Sequence, residues 1–305
     1  LKEKMAVLSD ASNFLGSREF SGYQESKFVV QSLPFERTSS YITGSELGPQ
    51  AILKASHFVE FFDEELKKDT RQAFGISTLS ALSFENLDFD DSLNEMEEAT
   101  AKHTENHKFL VTLGAEHTIT LPVFKGLQKK YKDLSILQLD AHADLRESYE
   151  GNKYSHACVM ARIKELNPKI VQVGIRAFCE EEQTCLDANL EQILSYTDFQ
   201  IKGDSIPVQP VLNHLTNNVY VTIDADGFSP HLAPEVGTLE PGGLEWHQSL
   251  SFLKEVFRNK NVVGFDIVEC CPKEDPSPTA YVLAKLAYKL MGYASLNPYN
   301  SILYP

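Results

Sequence analysis

Two hydrophobic rhythms alternate along the chain. Short, largely apolar runs, the mark of strands buried on both faces, occur at residues 27–33, 108–113, 134–139, 170–175, 218–223 and 262–268, with a further run at 76–82. Helical spacing fills the intervals. Gly48-Pro49 opens a helix in which Ala51, Ile52, Ala55, Val59 and Phe62 share a face, and Pro at the first position lacks only an N–H that needs no partner there. Further helices are predicted over 92–106, through 127–131, around Val159, Met160 and Ile163, over 245–259 and over 278–296. The first 27 or so residues carry no clear rhythm, and 180–215 alternate weakly between the two. The turn-rich segment 227–243 has prolines at 230, 234 and 241.

Strands alternating with helices predict an α/β fold, a three-layer α-β-α arrangement around a central, mainly parallel sheet. No repeat, low-complexity tract or linker divides the chain, so one domain over residues 1–305 is expected. In such sheets, ligand sites form outside the carboxyl ends of the strands. Polar residues with ligand chemistry gather there. Asp140, His142 and Asp144 leave the run 134–139 at alternate positions, which share a face in extended backbone. His117 follows a second strand, Asp224 and Asp226 a third, and Glu269 ends a fourth. A lone Asp-x-His-x-Asp reads equally well as a solvated acidic loop, but two histidines and several carboxylates at successive strand ends do not. Hard carboxylates with imidazoles suit a divalent cation such as Mn, Fe, Co or Zn.

Composition narrows the partners. The 305 residues are 42% hydrophobic and 23% charged, ordinary for a globular protein, and no run has membrane-spanning length. A net charge of -15 disfavours a sequence-independent grip on nucleic acid and is compatible with a cationic small substrate. The 5 cysteines form no Cys-x-x-Cys pair and are too sparse for a disulfide framework. A reducing compartment, the cytoplasm, is the expectation; no secretory signal is read, although the chain opens at Leu1 rather than Met.

The motifs together resemble the ureohydrolases, the arginase/agmatinase family, and among them prokaryotic agmatinases. The match is carried by Gly114-Ala115-Glu116-His117, Asp140-Ala141-His142-Ala143-Asp144, Ser155-His156, Thr222-Ile223-Asp224-Ala225-Asp226, Ala233-Pro234, Glu240-Pro241-Gly242-Gly243 and Asp266-Ile267-Val268-Glu269. Gly48-Pro49-Gln50-Ala51-Ile52 resembles the family's first helix start. The resemblance implies an arginase-like fold and two Mn2+ per chain. His117, Asp140, Asp144 and Asp224 would hold one ion; Asp140, His142, Asp224 and Asp226 would hold the other. Metal binding lowers the pKa of water by several units, which attack on a resonance-stabilised guanidinium carbon requires. His156 stands at the family's proton-transferring position and Glu269 at its guanidinium-binding one. A homo-oligomer, trimer or hexamer, is also implied.

Three departures stand out. Glu116 replaces a common Asp. Ser229 stands where an Asp usually supports the metal loop, and Cys270-Cys271 follow Glu269, where packing is the expected role. His214, His231 and His247 lack ligand spacing. Residues 145–154, LRESYEGNKY, lack the Asn-rich pattern with which arginases hold an amino-acid head group and resemble agmatinases. Agmatine, a small cationic guanidino substrate, is therefore the expected substrate, with Glu147 and Glu150 placed to face its second cation and guanidinobutyrate or arginine as alternatives. A zinc amidohydrolase of related fold typically carries a paired His-His before the metal motif, which is absent here. A noncatalytic relative would not need the complete ligand set.

Overall fold

The computed structural model describes residues 7–8, 12–16, 21–201 and 205–296, so much of the patternless N terminus and the tail after 296 lie outside the described residues. The chain begins with β1 (Phe28–Leu33), α1 (Gly48–Ser56), a small hairpin of β2 (Phe62–Asp63) and β3 (Lys68–Asp69), α2 (Thr70–Phe74) and β4 (Ile76–Thr78). It continues through α3 (Phe89–Glu105), β5 (Phe109–Gly114), α4 (Thr120–Gln128), β6 (Leu134–Leu139), α5 (Val159–Lys164) and β7 (Ile170–Ile175). The weakly patterned stretch resolves into α6 (Glu180–Ala188), β8 (Ile193–Thr197), α7 (Asp198–Ile201) and α8 (Val208–His214). The chain closes with β9 (Asn218–Asp224), α9 (Trp246–Asn259), β10 (Asn261–Val268) and α10 (Pro278–Ala294).

Eight strands form one sheet in the order β4-β1-β5-β10-β9-β6-β7-β8, and every pairing is parallel. Alternate side chains divide between two apolar layers, as the period of two requires. Val111, Leu137, Leu139, Val219 and Val221 pack with α1, α9 and α10. Leu110, Leu134, Ile136 and Tyr220 pack with α3, α4 and α5 on the other face. This is the expected three-layer α/β fold. Among the described residues no helix is long and apolar enough to cross a membrane.

The differences from expectation are local. The predicted strand over 76–82 pairs regularly only to Thr78, after which single bonds from Leu79 N–H to Val30 and Leu82 N–H to Ser32 carry it along β1. The helix opened by Gly48-Pro49 stops at Ser56, whose hydroxyl donates to the Leu53 carbonyl and accepts the Leu15 N–H. Val59 still reaches the core, but Phe62 lies in the hairpin and is 59% exposed. Helix α3 starts before the predicted residue 92 because Asp88 accepts the Asp91 N–H and caps it.

The consequence for function is positional. Strands β5, β10, β9 and β6 are consecutive neighbours at the middle of the sheet. Their carboxyl ends therefore deliver His117, Glu269, Asp224, Asp226, Asp140, His142 and Asp144 to one place.

Candidate metal centre

All six residues read as ligands converge. His117 Nδ1 lies 3.1 Å from Asp140 Oδ2, 3.0 Å from Asp144 Oδ2 and 3.3 Å from Asp224 Oδ2. His142 Nδ1 lies 3.1 Å from Asp226 Oδ2 and 3.7 Å from Asp140 Oδ1. Two triads, His117–Asp140–Asp224 and Asp140–His142–Asp226, each hold ligand atoms within 4.8 Å of one another. Asp140 belongs to both, with one oxygen toward each histidine. Asp224 joins the first triad; its Oδ1 accepts the Asp226 N–H at 2.9 Å.

Local backbone explains the convergence. Asp144 (φ 53) and Glu269 (φ 63) both adopt the left-handed conformation. For a non-glycine residue this costs on the order of 1–3 kcal/mol and persists only where the surroundings enforce it. The Asp144 carbonyl accepts the N–H groups of Met160 and Ala161, at 3.0 Å each, and the Glu269 N–H donates to the Ala115 carbonyl at 2.7 Å. The turn after β9 passes so close to β6 that a Cβ on Gly227 would sit 2.8 Å from Asp140 N, which requires glycine there.

A buried hydrogen-bond chain sets the His117 ring. Its Nε2 lies 2.9 Å from Thr222 Oγ1, and that hydroxyl donates to Asp266 Oδ1 at 2.6 Å. Asp266 Oδ2 accepts from Thr120 at 2.9 Å and Tyr220 at 2.7 Å. With its own proton committed, Thr222 accepts from Nε2–H, so Nδ1 is the nitrogen turned to the carboxylates. That buried nitrogen has no hydrogen-bond partner and faces three carboxylate oxygens. A proton or a metal cation has to lie between that nitrogen and the carboxylates, and a histidine oriented from behind in this way is the usual support of a metal ligand.

Charge leads to the same conclusion. Burial, then Asp140, push Asp144 up to about 7. Burial, then Asp226 and Asp140, hold Asp224 well above the ordinary carboxylate range. Burial works against charge on both ring systems, yet the carboxylates overcome it, raising His117 well above its usual value and His142 to about 12. Two imidazoles are the only cationic groups in the cluster and cannot balance four aspartates. Two dications would. The residues present therefore fit a pair of metal ions.

The cluster floors a cavity of about 410 Å³ that His156, Glu269, Tyr149, Phe178 and Glu240 also line. Glu269 Oε1 accepts the His117 N–H at 2.7 Å. Burial, then Glu116, push its carboxyl well up. His156 Nδ1 is 3.2 Å from Thr38 Oγ1, and Nε2 is 3.4 Å from Ser40 Oγ. Burial, together with the charges of His117 and His142, lowers its pKa to about 4. The two glutamates expected to face a second substrate cation do not line the cavity: Glu147 pairs with Arg162 at 2.8 Å, and Glu150 is exposed beside the Tyr149–Asn152 bridge. Glu182 and Glu240 hold the wall instead.

The departures resolve physically. Ser229 turns to His231, with Oγ 3.0 Å from its Nδ1, and the Asp226 carboxylate is held by Thr238 Oγ1 at 3.0 Å and the Ala141 N–H at 3.2 Å. Glu116 is fully buried and its Oε2 accepts the N–H groups of Arg37 at 3.0 Å and Thr38 at 2.7 Å, which fixes the loop that touches His156. Cys270 and Cys271 are buried free thiols, consistent with packing. Sequence reasoning missed Arg176, whose guanidinium binds the carbonyls of Asp226 and Gly227. It also missed the roles of Thr222, Asp266 and Gln138, the last donating to Asp140 Oδ2 at 2.6 Å. The available signals were a carboxylate in mid-strand between Phe265 and Ile267, and an arginine directly after β7.

Comparison with known proteins agrees with the geometry. Residues 26–292 match the Arginase family. The N(1)-aminopropylagmatine ureohydrolase of Synechocystis is 37% identical over 290 residues, 93% of this chain and 94% of that protein. The agmatinase of Bacillus cereus is 36% identical over 268 residues, 86% and 89% of the two chains. The solved agmatine ureohydrolase of Thermoplasma volcanium superposes with a TM-score of 0.82 at 30% identity, covering 98% of this chain and 96% of its own. With two histidines and four aspartates gathered on the sheet edge where this fold builds its sites, the chain is a hydrolase of the arginase family.

Proposed function

We propose that the chain hydrolyses an aliphatic guanidino amine to urea and the free amine, with agmatine as substrate and two divalent cations, manganese by resemblance, as cofactor. The observation that carries this reading is the orphaned, buried Nδ1 of His117 among three carboxylates at the floor of a cavity that also holds Glu269. His117, Asp140, Asp144 and Asp224 would hold one ion, and Asp140, His142, Asp224 and Asp226 the other. Bound there, the cations supply the Lewis acidity that makes water nucleophilic at neutral pH.

The chain's own groups do the rest. Glu269 keeps Oε1 on the His117 N–H, leaving Oε2 for a guanidinium N–H. A guanidinium supplies the positive charge that this buried carboxylate lacks, and its planar donors match a carboxylate. His156, lowered to about 4, is neutral at working pH and able to accept a proton. Ser40 lines the cavity, so Nε2 is the ring nitrogen on that side, placed to take a proton from water and give it to the departing amine. A longer substrate is a second reading, favoured by the relatives at 37% and 33% identity that are named N(1)-aminopropylagmatine ureohydrolase.

The test is urea release by manganese-loaded protein across agmatine, N1-aminopropylagmatine, guanidinobutyrate and arginine, repeated with Glu269→Gln. Arginine should be the poorest of the cationic substrates. Glu269→Gln should retain its metal and lose two or more orders of magnitude in kcat/KM, because a charge-assisted bond worth about 1.5–3 kcal/mol and the alignment of the reacting carbon go together. A fully metallated variant within a few-fold of wild type would remove Glu269 from the site.

A further inference from the structure

Away from the strand ends, the cavity wall carries two acidic side chains, Glu182 and Glu240. Glu182 is already committed. It is 2% exposed, its oxygens accept the N–H groups of Leu145 at 3.0 Å and Cys179 at 2.8 Å, and Arg146 Nε lies 3.7 Å away. Glu240 is half-buried, and its carboxylate makes no hydrogen bond or ion pair with any described residue.

The nearby arginine does not neutralise it. Arg176 Nε donates to the Pro241 carbonyl at 3.0 Å, and NH1 to those of Gly174 at 3.1 Å and Gly227 at 3.3 Å. Its NH2 serves the carbonyls of Asp226 at 2.6 Å, Glu240 at 3.2 Å and Phe228 at 3.3 Å. Every guanidinium donor is thus spent on backbone, and none is left for the Glu240 carboxylate. The same bonds tie the turn that bears Glu240 to the backbone of Asp226. Thr238 Oγ1 fastens the near end of that turn to Asp226 Oδ2 at 3.0 Å, and Asp198 Oδ1 accepts the Gly243 N–H at its far end at 3.2 Å. A carboxylate is therefore held in fixed relation to the metal cluster, beside Tyr149, Phe178 and Ala177, while the arginine that lines the cavity, Arg146, faces Glu182 at 3.7 Å and lies over the Tyr149 ring at 5.3 Å.

We propose that Glu240 is the subsite for an alkylammonium at the far end of the guanidino substrate, with the methylene chain lying against Tyr149 and Phe178. The assignment rests on the guanidine-hydrolysis reading above and adds to it the residue that selects the tail. It follows that substrates are ranked by the charge of the tail, with ammonium first, a neutral tail next and carboxylate last.

The experiment uses manganese-loaded enzyme and three guanidines of similar length: agmatine, n-butylguanidine and 4-guanidinobutyrate. In Glu240→Gln, the ratio of kcat/KM for agmatine to that for butylguanidine should fall about ten-fold to a hundred-fold, mainly through KM, as loss of a charge-assisted contact requires. Binding of 1,4-diaminobutane, the amine half of agmatine, followed by calorimetry should weaken by a similar factor at unchanged metal content. Glu240→Lys should invert the ranking and favour 4-guanidinobutyrate, a gain that misfolding cannot produce. An unchanged agmatine-to-butylguanidine ratio in a variant that still releases urea overturns the subsite and leaves guanidine hydrolysis standing. Failure of the wild type to release urea from all three compounds removes the underlying reading and the subsite with it.

Discussion

Two regions of this molecule bury clusters of charge, and they are built in opposite ways. Beneath the β2–β3 hairpin, Lys289 of α10 is 1% exposed, with Nζ 3.1 Å from Asp63 and 3.1 Å from Glu65. Glu65 also receives Lys254 at 2.7 Å and the Tyr293 hydroxyl at 2.6 Å, while Asp63 accepts the N–H groups of Glu65 and Leu66. Every carboxylate has a cation or donor within the chain. Burial opposes charge on Glu65, yet Lys254, Tyr293 and Lys289 together lower it to about 2. At the strand ends the direction reverses: Asp144 rises to about 7, and His117 Nδ1 has no partner. A self-balanced cluster fastens an element to the core. An unbalanced one of similar burial is completed only by something the chain does not supply.

The sharpest way to break this contrast is Asp224→Asn. The amide keeps an acceptor for the Asp226 N–H but removes a charge from the proposed cation-binding group. We expect loss of at least one ion by elemental analysis. Urea release should fall on the order of a thousand-fold or more, because water freed from a cation returns toward a pKa of about 15.7. Without metal the sign differs. The ionised carboxylate is unfavourable in the folded state, so chelated Asp224→Asn should melt above chelated wild type. Two bound ions with near wild-type turnover, or a lower chelated melting point, would contradict the assignment.

The contrast also explains what was legible beforehand. Strands β5, β6, β7, β9 and β10 are largely apolar runs, and burial on both faces makes that pattern hard to mistake. The clustered histidines and aspartates were legible because each sits at or just beyond a strand's carboxyl end, where sequence position fixes spatial position. Arg176, Glu240 and Thr238 were not, because their relation to Asp226 depends on the path of the 227–243 turn, which no periodicity encodes. The expectation for Glu147 and Glu150 failed for the same reason: proximity in sequence to Asp144 does not say which way a loop faces. The hairpin cluster was invisible, since Lys289 meets Asp63 across more than two hundred residues.

Lys289→Met tests the balanced cluster. The substitution preserves bulk but leaves Asp63, itself 1% exposed, without its cation. Breaking a buried pair from one side costs about 3–5 kcal/mol, which chemical denaturation should report. Metal content and kcat should stay at wild-type levels, because the cluster shares no residue with the cavity wall. Loss of metal in this variant would show that the two regions are coupled.

The smallest effect sharpens the comparison through pH. Glu65 is held at about 2 in the folded chain against an ordinary 4.5, so its depressed pKa adds stability that is fully present above about 4.5. That stability is lost as pH falls through about 2, where the folded-state carboxylate also takes up a proton. Glu65→Gln removes this dependence and keeps an acceptor for the Tyr293 hydroxyl. Because Glu65 is 32% exposed, solvent screening limits its contribution, and we expect a loss of about 1 kcal/mol at neutral pH. The difference in denaturation midpoint between wild type and Glu65→Gln should be constant from pH 7 to about 5 and narrow progressively below. A raised carboxylate gives the opposite sign, its charge destabilising as pH increases, so a gap that widens on acidification would place Glu65 with the strand-end aspartates. It would then remove the distinction between a cluster closed by the chain's own lysines and one left for metal.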